Sequence, residues 1–285
     1  MGWIEISNLS KSYGKREVIH GLNLNIEKGI NLIRGENGAG KSTLISIIEG
    51  LTKFNSGKVS ILGFDPRKDS KEIMKHISFI PETPVFYGSQ MIQEFLSIYT
   101  NINGGSKELV KYYMETFGIS EIAGSHFQSL SKGEAQLVQI VASLSTQKEF
   151  YVMDEPNSNI DVDGRSKLAR EIEKIRNKDG SGFLIVTHII DDIYPIADRT
   201  YLMHSGSIKL ISDTGNGNSG NKIYTVAIMT SDLEGIMKSL SQFNPVQSGQ
   251  EIILKGVDVY SIIGHLSEKQ VKSIMSIRKF TEMPS

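Results

Sequence analysis

The sequence predicts an α/β fold, in which helices cover a parallel sheet, followed by a small α+β domain. Two observations predict the α/β part: short β-type segments alternate with amphipathic helical segments, and one apolar segment runs directly into a glycine-rich loop and a helix. A polar segment at residues 212–222, composed largely of Gly, Asn and Ser, separates the smaller C-terminal part. A chain of 285 residues can bury a substantial core in this arrangement.

The first part of the chain is predicted to alternate strands and turns, with a helix near Lys41 to Glu49 after the glycine-rich loop. The strands are predicted at Trp3 to Leu9, Leu22 to Ile26, Ile30 to Arg34 and Lys58 to Leu62.

Residues 91–145 are predicted to form a mostly helical insert. Apolar residues recur there at intervals of three and four, first from Ile92 to Tyr99 and again from Leu137 to Leu144. The chain then returns to the alternation that is typical of a parallel sheet covered by helices. Its elements are predicted as strand Phe150 to Met153, helix Val162 to Ile175, strand Gly182 to Thr187, helix Ile190 to Ala197 and strand Tyr201 to His204.

We divide the chain into a domain of residues 1–211, a linker of residues 212–222 and an accessory domain of residues 223–285. The accessory domain has a small α+β pattern, for which a ferredoxin-like arrangement is one candidate. Its strands are predicted at Ile223 to Thr230, Glu251 to Leu254 and Ser273 to Ile277, and its helices at Asp232 to Leu240 and Val257 to Leu266.

Composition limits the function classes. Without cysteine the chain can form neither disulfides nor thiolate metal sites. A formal net charge of −1 argues against general nucleic-acid binding, which requires a basic excess. No segment reaches the roughly 20 apolar residues that span a bilayer, and the N-terminal residues show no targeting signal. We therefore expect an intracellular chain, and another polypeptide must cross the membrane if the function involves one.

A phosphate-binding loop is the most specific motif. The run Gly35-Glu36-Asn37-Gly38-Ala39-Gly40-Lys41-Ser42-Thr43 matches the P-loop pattern, and we expect Gly35 and Asn37 to Thr43 to bind nucleotide. The glycines let N–H groups point at phosphate oxygens, and the helix N-terminus adds partial positive charge. Lys41 is expected to neutralise the β- and γ-phosphates, and Ser42 to ligate Mg²⁺. A glycine-rich turn that binds nothing is the alternative, which the flanking strand and helix disfavour.

A pair of carboxylates follows the apolar strand Phe150 to Met153. Asp154 is expected to hold Mg²⁺ through water, and Glu155 to accept or align the proton of the attacking water. His188 follows another apolar strand, where a neutral imidazole could hydrogen-bond a γ-phosphate oxygen. Alone, an acidic pair is more often a solvated turn and a single histidine a packing residue, but the P-loop favours the functional interpretation.

A further motif, Leu130-Ser131-Lys132-Gly133-Glu134-Ala135-Gln136, resembles the LSGGQ signature of the ATP-binding cassette (ABC) family. With the P-loop, Asp154-Glu155, the turn Ser158 to Asp161, His188 and Tyr13, it gives six family elements in the family's order. The resemblance covers Trp3 to about Ile211. It implies a P-loop NTPase cassette with a mixed sheet core, an antiparallel β subdomain and a helical insert.

The resemblance also implies roles for single residues. Tyr13 would stack on adenine, while Ser131 and Gly133 would bind the γ-phosphate of an ATP held by a second copy of the chain or a homologous ATPase. Two chains would then enclose two ATP molecules head to tail, and Asp161 would link the two sites. ATP and Mg²⁺ are the expected cofactors. By itself, Ser131 would be an ordinary helix N-cap.

The sequence departs from the family pattern at two places. Lys132 and Glu134 stand where the signature has Gly and Gln. Glu82 replaces the glutamine of a family loop at Ile77 to Glu82; its carboxylate could ligate Mg²⁺ but adds negative charge near the phosphates. Exposed apolar residues beside Glu82, from Pro84 to Tyr87, would pass motion to a membrane partner.

The resemblance favours the ATPase subunit of an exporter-type ABC transporter with a separate permease, bound at the cytoplasmic face of the cell membrane. One alternative is a non-transport ABC ATPase that acts on nucleic acid or ribosomes. Such proteins generally carry two cassettes or a long coiled-coil insert, and neither is evident. A P-loop switch or kinase would leave Leu130 to Gln136 and His188 unexplained.

Overall fold

A computed structural model describes residues 2–84, 89–188, 193–213, 224–257 and 274–280 of the protein. It forms two compact units, Met1–Asn216 and Gly217–Ser285. Strands of the first unit are β1 (Ile4–Tyr13), β2 (Arg16–Ile26), β3 (Ile30–Arg34), β4 (Ser56–Ile61), β5 (Ile77–Ile80), β6 (Phe150–Asp154), β7 (Gly182–Thr187), β8 (Arg199–His204) and β9 (Ser207–Asp213). Its helices are α1 (Lys41–Ile48), α2 (Ser70–His76), α3 (Ile92–Asn103), α4 (Lys107–Phe117), α5 (Lys132–Leu144) and α6 (Val162–Asp179).

The main sheet has six strands in the order β5-β6-β7-β3-β8-β9, parallel except for β9, which pairs antiparallel with β8. Every residue of β6 and β7 is buried, which explains their continuous apolar sequences. Arg34 lies beside Thr187, and Asp154 lies beside Val186. The ends of β3, β6 and β7 therefore meet at one edge, where ligands bind in sheets of this type.

A second sheet contains β2, β1 and β4, all antiparallel. Strands β1 and β2 are longer than predicted because their polar ends continue to pair across a tight turn, where Tyr13 lies opposite Arg16. The residues at this end of the hairpin are mostly polar and show no apolar alternation, so the sequence did not predict them as strand. This sheet is the antiparallel subdomain that the family resemblance implied.

The helical insert consists of α3, α4 and α5, as the apolar spacing predicted. Helix α2 and strands β5 and β9 were not predicted, and the described part of the helix expected from Ile190 to Ala197 contains a 3₁₀ turn at Tyr194–Ile196. Residues 190–192 of that expected helix lie outside the described residues. Helix α2 has only 7 residues, too few to show a helical apolar repeat, whereas Ile208 and Leu210 of β9 do alternate with polar residues, so that strand could have been predicted.

The second unit contains β10 (Tyr224–Thr230), α7 (Leu233–Ser239), β11 (Val246–Ser248), β12 (Glu251–Val257) and β13 (Ile274–Phe280). Its antiparallel sheet has the order β11-β12-β10-β13, and α7 packs on a small apolar core. The helix predicted from Val257 to Leu266 lies outside the described residues, apart from Val257, which ends β12. Strand β9 of the first unit extends to Asp213, two residues into the predicted linker.

The turn between β8 and β9 ties the antiparallel hairpin to the P-loop. The Gly206 N–H donates to the Ala39 carbonyl (3.0 Å), and the Gly206 carbonyl accepts from the His20 N–H (3.1 Å). Gly206 has a φ of 75°. A Cβ there would lie 2.3 Å from His20 Cδ2 and 2.4 Å from the Val18 carbonyl. Glycine is therefore required at this junction.

We expect Gly206→Ala to lower the free energy of unfolding by roughly 2–4 kcal/mol, because the Cβ clashes and the φ is positive. Gly63→Ala is the matched control, since Gly63 has a φ of 87° but no described atom within 4 Å of the position that a Cβ would take. It should cost only about 1 kcal/mol. Urea denaturation of both variants measures the difference, and equal losses would show that the Gly206 contacts do not matter.

Candidate active site

A cavity of about 310 Å³ opens at the edge where β3, β6 and β7 end. It brings together the P-loop and three residues predicted from distant parts of the sequence, Glu82, Glu155 and His188. Arg16 and Val18, which the sequence analysis did not single out, form another part of the wall. The complete lining is Arg16, Val18, Asn37, Gly38, Gly40, Lys41, Ser42, Thr43, Glu82, Glu155 and His188.

The P-loop has the backbone geometry that phosphate binding needs. Gly40 precedes α1 with a φ of 106°, in the left-handed region. Its Cα lies so near Val18 that an added Cβ would be 3.1 Å from the Val18 carbonyl oxygen. The first N–H groups of α1 consequently face the cavity without side-chain obstruction, and no side chain caps this helix N-terminus.

Lys41 is buried, with 6% of its surface exposed, and its ammonium group is surrounded by oxygen atoms. Lys41 Nζ donates to the carbonyl oxygens of Gly35 (2.7 Å) and Glu36 (3.1 Å). It also lies 3.9 Å from Glu155 Oε1. The loop thus holds one cation at the cavity wall before any phosphate arrives.

Glu155 has a strained backbone, and its carboxylate accepts three hydrogen bonds. Its φ of 46° is unusual for a residue with a side chain, and such strain is often found at functional sites. The carboxylate accepts from Thr187 Oγ1 (2.9 Å), from the His188 N–H (3.0 Å) and from His188 Nδ1 (2.8 Å). A carboxylate offers about four lone-pair positions, so roughly one remains for a water molecule.

His188 forms a hydrogen bond that limits its predicted role. Because an ionised carboxylate only accepts, the 2.8 Å contact to Glu155 requires a proton on Nδ1. A neutral imidazole then carries only a lone pair on Nε2 and cannot donate to a phosphate. Donation to a γ-phosphate therefore requires an imidazolium ring, or release of the contact to Glu155. The residue lines the cavity as expected, but a neutral ring in this position does not suit the predicted hydrogen bond.

Asp154 is buried, with 6% of its surface exposed, and is not among the residues that line the cavity. Burial, followed by the neighbouring charges of Glu82 and Glu155, raises its pKa to about 6, although Lys41 and a hydrogen bond with Ser42 act in the opposite direction. Among the described residues, nothing donates to Asp154 Oδ1. Burial and the charge of Asp154 likewise raise the pKa of Glu49 to about 7. The site therefore holds excess negative charge that a cation would relieve.

Ser131, Gly133 and Asp161 do not line the cavity of their own chain. Ser131 caps α5 in a capping box with Glu134, and its hydroxyl donates to Glu134 Oε2 over 2.7 Å. A Cβ on Gly133 would lie 2.4 Å from the Asn159 carbonyl, so close packing alone requires glycine there. Asp161 caps α6 by accepting from the Gly164 N–H (2.8 Å). Each of the three thus has a structural role within its own chain.

Tyr13 also lies outside the cavity lining, at the end of the hairpin. Its side chain is 52% exposed, and the ammonium group of Lys11 lies 4.5 Å from the ring centroid on one face. Stacking on a base would have to use the other face. Tyr13 pairs with Arg16 across the hairpin, and Arg16 does line the cavity.

Several known proteins resemble this chain in sequence and fold. A family model described as ABC transporter matches residues 19–158. The bacitracin transport ATP-binding protein BcrA of Enterococcus faecalis is 30% identical over 224 residues, which cover 78% of this chain and 73% of that protein. The chain belongs to the ABC transporter family. It is an ATP-binding and ATP-hydrolysing subunit, as the resemblance implied.

Other relatives extend the comparison of this ABC ATPase. The lantibiotic transport ATP-binding protein SrtF of Streptococcus pyogenes is 28% identical over 227 residues, covering 79% of this chain and 97% of that protein. A dimeric post-hydrolysis structure of the ATP-binding cassette MJ0796, bound to ADP and Pi, has the same fold with a TM-score of 0.66 and 21% identity, covering 75% of this chain and 100% of that chain. The predicted cassette fold is confirmed. Neither relative supports the nucleic-acid or ribosome alternative.

No helix in the described part of this ABC ATPase is long and apolar enough to cross a membrane.

We expect the free energy of unfolding of the metal-free, nucleotide-free protein to fall as pH rises from about 4 to 6. Folding raises the pKa of Asp154, so the folded state binds more protons in this range and loses that advantage when the group ionises. Asp154→Asn should remove about 1–3 kcal/mol of this pH dependence and stabilise the protein at pH 7. Denaturant titrations with a chelator present measure it, and an unaltered pH profile would contradict the assigned environment.

Proposed function

We propose that this ATPase binds MgATP in the cavity at the sheet edge and, as a head-to-tail dimer, powers export through a separate membrane permease. The observation that carries the proposal is the convergence of the P-loop, Glu155 and His188 in one cavity. The loop supplies N–H groups and the Lys41 ammonium for the phosphates. The relatives named for bacitracin and lantibiotic transport support a transport process.

The residues around Asp154 fit a magnesium ion. Ser42, Asp154 and Glu82 offer the hard oxygen ligands that Mg²⁺ prefers, and Asp154 Oδ1 has no donor among the described residues. No group of three or more acidic or histidine side chains within that part of the chain could hold a metal alone. This agrees with an ion that takes further ligands from phosphates and water. Such an ion would neutralise charge on the phosphates as the bond to the γ-phosphate breaks.

Glu155 would align the water that attacks the γ-phosphate. Thr187 and His188 hold its carboxylate in place, Glu155 lines the cavity, and roughly one lone-pair position of the carboxylate remains for a water molecule. Lys41 Nζ lies 3.9 Å from Glu155 Oε1. When nucleotide binds, this ammonium group would move from the carbonyl oxygens of the loop to the phosphates and stabilise the negative charge that develops on them. Hydrolysis in this scheme is mostly positioning and charge stabilisation.

A second copy would complete the site. Ser131 and Gly133 do not reach the cavity of their own chain, so their proposed contact with the γ-phosphate must be made across a dimer. The Ser131 hydroxyl now donates to Glu134 and would have to turn toward the phosphate. Asp161 would lie near the junction between the two sites. The dimeric structure of MJ0796 is consistent with such a pairing.

We expect Glu155→Gln to retain ATP binding but reduce steady-state ATP hydrolysis by at least about 100-fold, because the amide cannot accept the proton of the attacking water. The stalled protein should elute as a dimer in gel filtration with ATP and Mg²⁺, and as a monomer without them. Lys41→Ala is the control, since loss of the ammonium should abolish both binding and dimer formation. Unchanged turnover in Glu155→Gln would remove Glu155 from this role.

The proposed permease and the location at the cytoplasmic face can be tested together. Expression of the chain with the membrane protein encoded beside it should place the ATPase in the membrane fraction, and the two should co-purify in detergent. Transport coupling through the segment after Glu82 is part of the proposal, although Val85 to Gly88 lie outside the described residues. The proposed partner would be contradicted if the ATPase stayed in the soluble fraction when co-expressed with each of the membrane proteins encoded beside it.

A further inference from the structure

The cavity contains one charged residue that none of the recognised motifs includes. Arg16 stands at the start of β2, is exposed, and lines the same cavity as the P-loop. Within the described part of the chain its side chain forms no ion pair or hydrogen bond. A guanidinium group has five N–H donors and is always charged, so it is free to bind an anion that enters the cavity.

The hairpin geometry places Arg16 on the face of β2 that borders the P-loop. Alternate residues of a strand point to the same face, so Arg16 and Val18 share one face of β2. Val18 lies next to Gly40, since a Cβ added to Gly40 would be 3.1 Å from the Val18 carbonyl oxygen. Arg16 and Val18 both line the cavity together with the P-loop, and Tyr13 lies opposite Arg16 across the hairpin.

Three carboxylates, those of Glu82, Asp154 and Glu155, lie in or beside the cavity. Lys41 lies 3.9 Å from Glu155 and is already bound to two carbonyl oxygens, and the charges of Glu82 and Glu155 act on Asp154. A nucleotide brings further negative charge, and one Mg²⁺ offsets only part of it. Arg16 is the remaining cationic side chain among the described residues that line this cavity.

We propose that Arg16 is a phosphate-binding residue of this ATPase, donating charge-assisted hydrogen bonds to the phosphate chain of the nucleotide. The inference deepens the proposed function and depends on nucleotide binding in this cavity. Because Arg16 is exposed in the free chain, its contribution is moderate and sensitive to salt. It does not depend on base identity or on hydrolysis.

The test measures the dissociation constants of ADP and ATP, with Mg²⁺, by calorimetry for the wild type, Arg16→Ala and Lys15→Ala. Lys15 is the matched control, since it is an exposed cation in the same hairpin turn that does not line the cavity. Arg16→Ala should weaken both nucleotides roughly three- to tenfold at low salt, and Lys15→Ala less than about twofold. Arg16→Lys should restore part of the lost nucleotide affinity, because lysine keeps the positive charge but lacks the paired N–H donors of the guanidinium group.

The difference between wild type and Arg16→Ala should shrink as ionic strength rises, and the unfolding midpoint without nucleotide should not change. Equal dissociation constants for Arg16→Ala and Lys15→Ala would show that Arg16 does not bind the phosphates. So would a difference between wild type and Arg16→Ala that stays the same at high salt. Either result leaves nucleotide binding in the cavity intact. A wild type that binds neither nucleotide would instead refute the proposed function, and this inference with it.

Discussion

The site of this ATPase depends on one arrangement of charges: the buried ammonium group of Lys41 lies near the carboxylates of Glu82, Asp154 and Glu155 at the edge of a parallel sheet. The fold creates the arrangement, because the carboxyl ends of neighbouring parallel strands must meet. The carbonyl oxygen of Gly35 accepts a hydrogen bond from Lys41, and burial beside Glu82 and Glu155 raises the pKa of Asp154. Phosphate would offer Lys41 a negative partner, and a divalent cation would offer Asp154 a positive one.

Several local features serve this arrangement. The left-handed backbone at Glu155 turns its carboxylate back toward the ends of β7 and the P-loop, where Thr187 and His188 hold it. The Gly206 turn fixes the distance between the P-loop and the hairpin that carries Arg16. These contacts join residues that are far apart in sequence and hold the parts of the site together.

The sequence predicted the parts of this ATPase whose signals are local. Strands Ile30 to Arg34 and Gly182 to Thr187 are mostly apolar, and their predicted bounds agree with β3 and β7. The P-loop has fixed spacing, so its position was predictable too. Arg16 could not be found in this way, because its importance depends on strand pairing rather than on a motif. The hydrogen bond from His188 to Glu155 is likewise a property of packing, and it determines which proton the histidine carries.

Phosphate and metal should bind this site cooperatively. The unfolding midpoint of the wild type, measured with ADP alone, with Mg²⁺ alone and with both, tests this. We expect both together to raise the midpoint by several degrees, well beyond the sum of the separate shifts, since each ligand neutralises charge that disfavours the other. Shifts that are merely additive, or the absence of any shift with both ligands, would contradict it.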